Sequence, residues 1–388
     1  MRLAFIAPGF SAHEGDWCIP ALTSLVRALA RSNDVELFAL RYPHQRGSYG
    51  VFGAHVHALG ATRAGVLGRF TLLAGAFARI RRENARAAFD LVHGLWADEA
   101  GFLATAAARA LGMPAVVSLL GGELVGLPSV GYGTALSVAG RTLVRRALRR
   151  ADAVTVGSRE MESLASSHVP AGRLWRLPLG VDTDLFNSSD SGGPPMHLAG
   201  APCILHVASL VPVKDQATLF RALTRVVAAM PGAHLHVVGD GLLRNDLERL
   251  AGELGVGDHV TFHGAVEHDR LPEYYRAADI AVLSSRFESQ SMVAVEAAAC
   301  GLATVGTAVG LLPELVGTEL TVPVGDVEAL AAAVLTLARD PAHRTALGEA
   351  SRAAVESRYT LSRSVGELTA LYRHLAARAG RETLPRCA

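Results

Sequence analysis

At 388 residues the chain is too long for one ordinary hydrophobic core, so its length predicts two domains of about 190 residues each. Half of the residues are apolar and 19% are charged, a balance that excludes an intrinsically disordered chain. The net charge of only +1 gives no reason to expect a nucleic-acid partner, and no run of about 18 uncharged apolar residues predicts a membrane-spanning helix.

Strand-like apolar runs alternate with helix-like runs through both halves, the pattern of a parallel α/β architecture. In the first half the predicted strands are Leu3–Ala7, Val35–Leu40, Leu91–His93, Ala115–Leu119 and Ala153–Val156. The predicted helices between them are Ile19–Ala30, Phe70–Ala87, Gly101–Leu111 and Arg141–Arg150. In the second half the predicted strands are Cys203–Ala208, His234–Val238, Val260–Phe262, Ile280–Ser284 and Thr304–Val305.

A polar segment rich in Gly and Pro separates the halves. Residues 187–195 read Asn-Ser-Ser-Asp-Ser-Gly-Gly-Pro-Pro, which favours neither helix nor strand. We therefore predict a first domain over 1–187, a linker over 188–200 and a second domain over 201–360. A last helix, Leu361–Ala379, lies in a segment 361–388 that we expect to pack back on the first domain. Two doubly wound domains would face each other across a cleft, with ligands at the carboxyl ends of the strands.

Charge and cysteine usage suggest where the protein works. Residues 1–188 carry 20 Arg and 14 Asp and Glu, whereas the rest carry 17 basic and 22 acidic residues. The positive first half would suit an anionic acceptor or the cytoplasmic face of a membrane, or is an ordinary solvated surface. The four cysteines lie far apart, which favours free thiols in a reducing, cytoplasmic compartment: Cys18, Cys203, Cys300 and Cys387.

The strongest local signal runs from Ser285 to Gly301. A strand ends before it, Ser291 is placed to N-cap a helix, and Gly301 is placed to end that helix. The first N–H groups of such a helix form an anion site, and Glu296 leans back toward it. Glu288 and Glu296 would accept hydrogen bonds from sugar hydroxyls, or are simply a loop carboxylate and a buried one.

The second signal is Lys214, which follows the first strand of the second domain and is expected to open the next helix. It is the only Lys among 37 basic residues. An ammonium at a helix start gains little electrostatic stabilisation unless an anion is bound there. The alternative is that Lys214 is simply a solvated side chain, as most lysines are.

These motifs together resemble the group-1 glycosyltransferases of family 4, which have the GT-B fold and retain anomeric configuration. The resemblance covers nearly the whole chain. It rests on the lysine loop, the Glu288-x7-Glu296 spacing and four further stretches: 177–182, 297–301, 309–314 and 324–326.

The resemblance implies a role for each matching residue. Lys214 would contact the donor diphosphate, Glu296 the ribose, and Glu288 the transferred sugar, so that Lys214 and Glu288 are the expected catalytic residues. The remaining donor-binding predictions are Gly15, Ser209, Val266, Ser289, Gln290, Ser291, Met292 and Val293. The predicted sugar or acceptor side comprises Leu120, Gly121, Gly122, Glu123 and His93. For His93 a packed core position is an equally open alternative.

Two departures from the family pattern affect the donor and acceptor sites. Ser209 stands where the family usually has an Arg, and Leu120 stands where many members have a His. The diphosphate would therefore lose one of its two usual cations, and the sugar would lose a positioning group. A weakened or inactive transferase remains an open interpretation.

The expected reaction transfers a sugar from a UDP- or GDP-type donor to a carbohydrate, lipid-linked or small-molecule hydroxyl, with retention. No metal and no cofactor are expected, since Asp182-Thr-Asp184 follows a turn signal and is interpreted as a capping motif. The alternatives are a nucleotide-sugar 2-epimerase and a non-catalytic nucleotide-sugar-binding protein. An oxidoreductase is disfavoured because Gly239-Asp-Gly241 lacks the third glycine of the dinucleotide fingerprint.

Overall fold

A computed structural model describes residues 1–60, 65–189 and 196–382. The chain divides into two compact units. The first unit contains Met1–Pro128, Tyr132–Gly180 and the segment that begins at Leu361; the second contains Ser129–Gly131 and Val181–Thr360.

The first unit is built on an eight-stranded sheet in the order β3-β4-β2-β1-β5-β6-β7-β8. Its strands are β1 (Arg2–Gly9), β2 (Asp34–Tyr42), β3 (Gly47–Val51), β4 (Ala54–Ala58), β5 (Leu91–Leu95), β6 (Ala115–Leu119), β7 (Ala153–Val156) and β8 (Leu174–Arg176). All neighbours are parallel except β3 and β4, which form a hairpin. The sheet reverses its strand order at β1, from which the chain adds β2 on one side and β5 on the other.

The second unit has a six-stranded, wholly parallel sheet in the order β11-β10-β9-β12-β13-β14. Its strands are β9 (Cys203–Val207), β10 (His234–Val238), β11 (Val260–Gly264), β12 (Ile280–Leu283), β13 (Thr304–Thr307) and β14 (Thr321–Val322). The order reverses between β9 and β12, so the carboxyl ends of these two strands form the switch point of this sheet.

Helices follow most strands in both units. Those of the first unit are α1 (Pro20–Ala30), α2 (Val66–Arg86), α3 (Glu99–Leu111), α4 (Val138–Arg150) and α5 (Arg159–Ser166). Those of the second unit are α6 (Gln216–Ala229), α7 (Arg244–Glu253), α8 (Leu271–Ala277), α9 (Met292–Ala299), α10 (Leu312–Val316), α11 (Val327–Arg339) and α12 (Pro341–Arg358). The last helix, α13 (Leu361–Glu382), belongs to the first unit.

Alternation along β1 explains why helices cover both faces of the first sheet. Leu3 and Phe5 pack in a cluster with residues of α1 and α13, whereas Ala4 and Ile6 pack in a second cluster with residues of α2 and α3. Successive side chains of a strand point to opposite faces, so a strand that is apolar throughout must be covered on both sides. The predicted doubly wound α/β class is confirmed for both units.

The boundary between the units differs from the predicted linker. Val181 already pairs with Thr360 of the second unit, its N–H donates to Tyr359 O (2.9 Å), and Phe186 lies in the second unit's core. Residues 181–187 therefore belong to the second unit, because their apolar side chains are buried there. Residues 190–195 of the predicted linker lie outside the described part of the chain.

The β3–β4 hairpin was not predicted from the sequence. Its turn places Phe52 and Gly53 at φ 50° and 78°. A two-residue turn with both φ angles positive usually carries Asn or Gly at its first position. Because Phe52 occupies that position here, the sequence lacks the usual hairpin-turn pattern. Beyond this hairpin, the short strands β8 and β14 were also missed.

Three cysteines lie in the described residues as free thiols, and burial raises the pKa of Cys300 to about 12. Cys387 lies outside the described residues. Among the helices that the structure describes, none combines the length and the apolarity needed to cross a bilayer.

Candidate active site

Lys214 lies on the loop after β9, at the switch point of the second sheet. It ends a single 3-10 turn, Pro212–Lys214, and α6 begins only at Gln216. The prediction that Lys214 opens the helix is therefore wrong. Between the two elements Asp215 adopts φ 46° and ψ 46°, a left-handed geometry that breaks the path from the turn to the helix. Its carboxylate accepts the Thr218 hydroxyl (3.0 Å) and pairs with Arg286 (3.0 Å).

Glu288 lies on the loop after β12 and meets Lys214 directly. Lys214 Nζ is 2.5 Å from Glu288 Oε1, and the Ser285 hydroxyl donates to the same oxygen at 2.6 Å. Ser284 Oγ also donates to Lys214 O (2.8 Å), which joins the two loops. The side chains of Lys214 and Glu288 are 23% and 14% exposed, so this ion pair is partly withdrawn from water. The two predicted catalytic residues are thus in contact.

A buried histidine, His206, lies on β9, and the charges of both Lys214 and Glu288 affect its pKa. Its Nδ1 contacts Val282 O (2.9 Å), and Nε2 has no hydrogen-bond partner among the described residues. Burial lowers its pKa to about 4, while Lys214 lowers it further and Glu288 opposes that effect. His206 is therefore a neutral ring at pH 7.

Helix α9 begins at Met292 with Ser291 at the N-cap position, as predicted. The Ser291 side chain makes no capping hydrogen bond, however, because the residue adopts φ 72° instead of the extended geometry that a serine cap uses. Its hydroxyl is buried and has no described partner. Ser291 is thus a non-glycine residue with a left-handed backbone and an unsatisfied hydroxyl, so α9 begins at a strained and polar position. The first N–H groups of α9, near Met292 and Val293, have no helical acceptor.

Gln290 and Ser289 complete this entrance. Gln290 Nε2 contacts Met292 Sδ (3.0 Å), and Gln290 O accepts the Leu311 N–H (2.8 Å). Gln290 is buried and Ser289 half-buried. The backbone before α9 is thereby tied to the segment before α10.

Glu296 is buried inside α9, and both of its carboxylate oxygens are engaged. Oε1 contacts His268 Nε2 and Oε2 accepts the Tyr275 hydroxyl, each at 3.0 Å. A carboxylate has about four acceptor sites, so two remain for a ligand hydroxyl. Burial and the neighbouring Glu296 raise the pKa of Tyr275 well above its usual value, which keeps its hydroxyl a donor.

Ser209 and Val266 lie on the loops after β9 and β11. Ser209 is exposed and its carbonyl accepts Gln216 Nε2 (3.0 Å), whereas Val266 is half-buried against the core. The Gly239–Gly241 turn packs against the Ser209 loop, since a Cβ at Gly239 would lie 2.0 Å from Ala208 O. Close backbone packing therefore explains these glycines without a dinucleotide.

In the first unit, Gly15 lies on the loop after β1. The loop is held by Asp16, whose Oδ2 accepts the Ala12 N–H (2.7 Å) and the Tyr42 hydroxyl (2.9 Å). Gly15 itself is exposed, and only the His13 ring approaches the position of a Cβ there. Asp16 thus shapes the predicted glycine loop.

The predicted acceptor loop after β6 is organised by Glu123. Its buried carboxylate accepts the N–H groups of Ala97 (3.3 Å), Leu120 (3.1 Å) and Gly121 (2.8 Å). Burial raises the pKa of Glu123 to about 7, although these backbone donors work in the opposite direction. Glu123 acts from inside the loop, so its side chain positions the backbone.

Aromatic rings enclose Gly121 and Gly122. A Cβ at Gly121 would lie 2.9 Å from Trp96 Nε1, and one at Gly122 would lie 2.6 Å from the Tyr132 ring. Trp96 itself has φ 73°, so its backbone is strained directly after β5. Only glycine fits at these two positions.

His93 does not line an acceptor site. It is 1% exposed in β5, with Nδ1 2.7 Å from the Tyr372 hydroxyl and Nε2 2.7 Å from Ser118 Oγ. Burial lowers its pKa to about 3. Since both ring nitrogens have protein partners in the interior, the predicted acceptor-side position is wrong and the core alternative holds. The ring joins α13 to the sheet.

Two possible metal motifs serve structural roles. Asp182 Oδ1 accepts the Asp184 N–H (3.1 Å), which closes the turn that the sequence predicted. Glu36, His57 and Glu83 bring potential ligand atoms within 4.8 Å of one another, but Arg2 contacts Glu36 and Arg79 contacts both His57 and Glu83. Guanidinium groups thus already occupy that cluster.

The structure adds residues that sequence reasoning missed. Ser285, His206, His268, Tyr275 and Asp16 each contact or adjoin a predicted site residue. Ser285 begins the Ser285–Gly301 segment, three residues before Glu288, so its contact with Glu288 could have been predicted from the sequence. Asp16 directly follows Gly15, and His206 lies eight residues before Lys214, so both were also close to predicted residues in the sequence. His268 and Tyr275 precede Glu296 by 28 and 21 residues, and only the fold brings them to it.

Two family models match consecutive parts of the chain. The family described as Glycosyl transferases group 1 matches residues 197–354, and that described as Glycosyltransferase Family 4 matches residues 21–185. The two together span most of the sequence.

The chain is similar to two kinds of curated transferase. It is 36% identical over 227 residues to the GDP-mannose-dependent alpha-(1-6)-phosphatidylinositol monomannoside mannosyltransferase of Mycolicibacterium smegmatis, a match that covers 55% of this chain and 59% of that protein. It is 32% identical over 231 residues to the D-inositol 3-phosphate glycosyltransferase of Segniliparus rotundus, covering 54% of this chain and 51% of that one. The matches thus span only slightly more than half of each relative's length.

Two solved structures share the fold over nearly the whole chain. The sucrose-phosphate synthase of Thermosynechococcus elongatus superposes with a TM-score of 0.79 at 24% identity, covering 97% of this chain and 100% of that one. Anabaena HepE, in complex with UDP and glucose, superposes with a TM-score of 0.74 at 20% identity and the same coverage.

Proposed function

Because the chain belongs to the group-1 glycosyltransferases of family 4, we propose that it transfers a sugar from a nucleotide-diphosphate donor to a hydroxyl acceptor. The carrying observation is the contact of Lys214 Nζ with Glu288 Oε1 at 2.5 Å, at the switch point of the second sheet and in the unit that also starts α9 at Met292. A cation, a helix start and hydroxyl-accepting carboxylates together suit a sugar joined to a diphosphate.

In the proposed reaction the bond between the sugar C1 and the donor phosphate oxygen breaks, and the acceptor oxygen bonds to C1 on the same face. The acceptor proton passes to the departing phosphate, so no side chain has to act as base. The developing negative charge on the diphosphate is stabilised by Lys214 and the first N–H groups of α9. The reaction is therefore proposed to retain configuration and to need neither metal nor cofactor.

Glu288 gives this site a resting partner for Lys214. In the structure the ammonium is neutralised by the carboxylate, whose second donor is Ser285. A diphosphate competes for the same ammonium, and Glu288 is then released to accept a hydroxyl of the transferred sugar. Glu296 holds ribose hydroxyls on its remaining acceptor sites, while His268 and Tyr275 fix the carboxylate.

The relatives suggest which substrates to try first. The mannosyltransferase from Mycolicibacterium smegmatis is named for GDP-mannose, and both relatives are named for acceptors that contain inositol. We therefore place a GDP-type donor before a UDP-type one, and propose an inositol-bearing glycolipid or phosphorylated inositol as acceptor. Such a lipid acceptor would bring the protein to the cytoplasmic face of a membrane.

The deciding experiment incubates the purified protein with GDP-mannose or UDP-glucose, each with and without inositol 3-phosphate or phosphatidylinositol, and follows products by mass spectrometry. A glycosylated acceptor with release of nucleoside diphosphate supports the proposal. A changed free monosaccharide without acceptor would identify an epimerase instead. Binding of nucleotide sugar without consumption under any condition would identify a non-catalytic binding protein.

A further inference from the structure

Ser291, the residue directly before α9, combines two features that each destabilise the ligand-free fold. Its backbone adopts φ 72° and ψ 73°, a left-handed geometry that glycine adopts readily and serine does not. Ser291 is also only 7% exposed, and its hydroxyl has no hydrogen-bond partner among the described residues. A buried hydroxyl without a partner has lost its hydrogen bonds to water and gained none in return. Glycine at this position would remove both effects, so the fold alone gives no reason for a serine.

Within residues 1–60, 65–189 and 196–382, no other residue combines these two features. The other non-glycine residues with positive φ are Phe52, Trp96 and Asp215, and none of them has a buried polar side-chain atom that lacks a partner. The other buried serine hydroxyl without a partner belongs to Ser351, which lies inside α12 and has no positive φ. In this part of the chain, backbone strain and an unsatisfied hydroxyl therefore coincide only at the start of α9.

The loop before α9 is held in place, which explains why the strained backbone of Ser291 persists. Gln290 O accepts the Leu311 N–H (2.8 Å), and Gln290 Nε2 contacts Met292 Sδ (3.0 Å). Gly310 packs against the same loop, since a Cβ there would lie 2.8 Å from Gln290 O. These contacts fix the backbone on both sides of Ser291, but none of them involves its hydroxyl.

Ser291 also lies between the two carboxylates that the proposed function assigns to sugar hydroxyls. Glu288 precedes it by three residues, a separation of at most about 11 Å. Glu296 follows it by five residues, a rise of about 7 Å along α9, and its side chain leans back toward the start of the helix. In a nucleotide sugar the diphosphate joins the ribose to the transferred sugar. A donor held by both carboxylates therefore brings its diphosphate to the start of α9.

The chemistry of this position suits a phosphate oxygen. The first N–H groups of α9, at Met292 and Val293, have no helical acceptor and lie at the same helix end as the Ser291 hydroxyl. The helix dipole places partial positive charge there. Ser284 Oγ donates to Lys214 O (2.8 Å), so the ammonium and the Ser291 hydroxyl lie on joined loops. A hydrogen bond from a hydroxyl to an ionised phosphate is about twice as strong as one between neutral groups.

We propose that the Ser291 hydroxyl donates a hydrogen bond to the diphosphate of the nucleotide-sugar donor. This role rests on the proposed function, which uses Lys214 and backbone N–H groups at this site but not this side chain. The ligand supplies the acceptor that the ligand-free fold does not offer to the hydroxyl. Ser291 therefore destabilises the ligand-free protein and strengthens its binding of the donor.

The test titrates the full-length protein with GDP and with UDP by calorimetry, in unmodified form and as two variants. Ser291→Ala removes the hydroxyl but keeps the Cβ atom and its strain, whereas Ser291→Gly removes both. We expect both variants to bind the preferred nucleotide about tenfold or more weakly, because each loses the same charge-assisted hydrogen bond. Without ligand, Ser291→Gly should melt about 2–4 °C above the unmodified protein.

The matched control is Ser351→Ala. It removes a serine hydroxyl that is equally buried and unpartnered and that belongs to the same unit, but lies inside α12. We expect it to retain nucleotide affinity within about twofold. A loss equal to that of the Ser291 variants would show a general effect of removing a buried hydroxyl and would overturn the proposal.

The pattern across the two Ser291 variants decides the rest. Unchanged affinity in both would overturn this role while leaving the proposed function in place. A loss in the glycine variant alone would show a need for a stiff backbone, and a loss in the alanine variant alone would show an effect of strain; either result overturns the role. So would a ligand-free Ser291→Gly protein that melts below the unmodified one, because the hydroxyl would then already stabilise the fold. Failure of the unmodified protein to bind either nucleotide would instead refute the donor site, and with it both the proposed function and this role.

Discussion

Lys214 and Glu288, 74 residues apart in the chain, form a partly buried ion pair in which Nζ lies 2.5 Å from Oε1. The pair joins the loops after β9 and β12, which are adjacent strands of the second sheet. In a partly buried position, removing either charge leaves the other without its oppositely charged partner. The two substitutions should therefore have opposite effects on the binding of an anion.

Replacing Lys214 by Ala should lower turnover by about tenfold or more and weaken binding of nucleoside diphosphate, because the departing phosphate loses its ammonium. Steady-state kinetics with the donor that proves active measure this. Arg221→Ala removes an exposed cation from α6 and should leave turnover unchanged. Near-normal turnover of Lys214→Ala would refute the assigned role.

Replacing Glu288 by Gln should strengthen binding of GDP by about threefold to tenfold, because the phosphate no longer competes with a carboxylate for Lys214. Turnover should nevertheless fall, since the amide accepts a sugar hydroxyl less strongly. Calorimetric titration with GDP and a turnover assay test the two effects separately. The control Glu319→Gln removes an exposed charge from the same unit. Weaker GDP binding by Glu288→Gln would contradict a competition between carboxylate and phosphate.

Replacing Tyr275 by Phe should lower the free energy of unfolding by about 1.5–3 kcal/mol, because a buried carboxylate oxygen of Glu296 loses its donor. The neighbouring Tyr274 offers a matched control. Its hydroxyl makes no hydrogen bond within the described part of the chain. Tyr274→Phe should therefore change stability by about 0.5 kcal/mol or less. Urea unfolding followed by circular dichroism compares the two, and equal losses would show that the Glu296 contact is unimportant.

Glu123 should make stability depend on pH near neutrality. Burial raises its pKa in the folded protein from 4.5 to about 7, so between these values the folded state holds a proton that the unfolded state has lost. Stability contributed by this group therefore falls as pH rises from about 4.5 to 7, by about 3 kcal/mol, and is constant above that range.

Glu123→Gln should remove this slope, because an amide does not titrate. The comparison is the difference in unfolding free energy between the unmodified protein and the variant at pH 5, 6, 7 and 8. Hydrogen bonds that the amide itself gains or loses shift this difference by a constant, so its dependence on pH reports only the titration of Glu123. Parallel curves for the two proteins would show that the Glu123 carboxyl does not titrate in this range.

Much of the fold followed from local patterns. β6, β7 and β10 were predicted with the observed ends, and the start of α9 at Met292 followed from the N-cap position of Ser291. Buried parallel strands are apolar throughout, and helix ends carry local signals, so a short window contains what is needed. Phe52 shows the limit: its positive φ is imposed by the pairing of β3 with β4, not by its own preference.

The site was predicted less completely, because its residues are joined through contacts that no spacing encodes. His93 is of a residue type that often binds ligands, but it is buried in the core. Its ring contacts the Tyr372 hydroxyl, 279 positions later in the chain. Glu296 was assigned to a ligand, yet its first partners are His268 and Tyr275. Burial and partner choice depend on which helices cover a strand.

The sequence by itself determined that Lys214 follows a buried strand and that Glu288 follows another, eight residues before Glu296. Only the tertiary structure decided that Lys214 and Glu288 touch, because β9 and β12 are neighbours in the sheet although two strands separate them in the chain. Hydrophobic periodicity reports which face of an element is buried. It carries no information on strand order, and strand order is what brings these two side chains together.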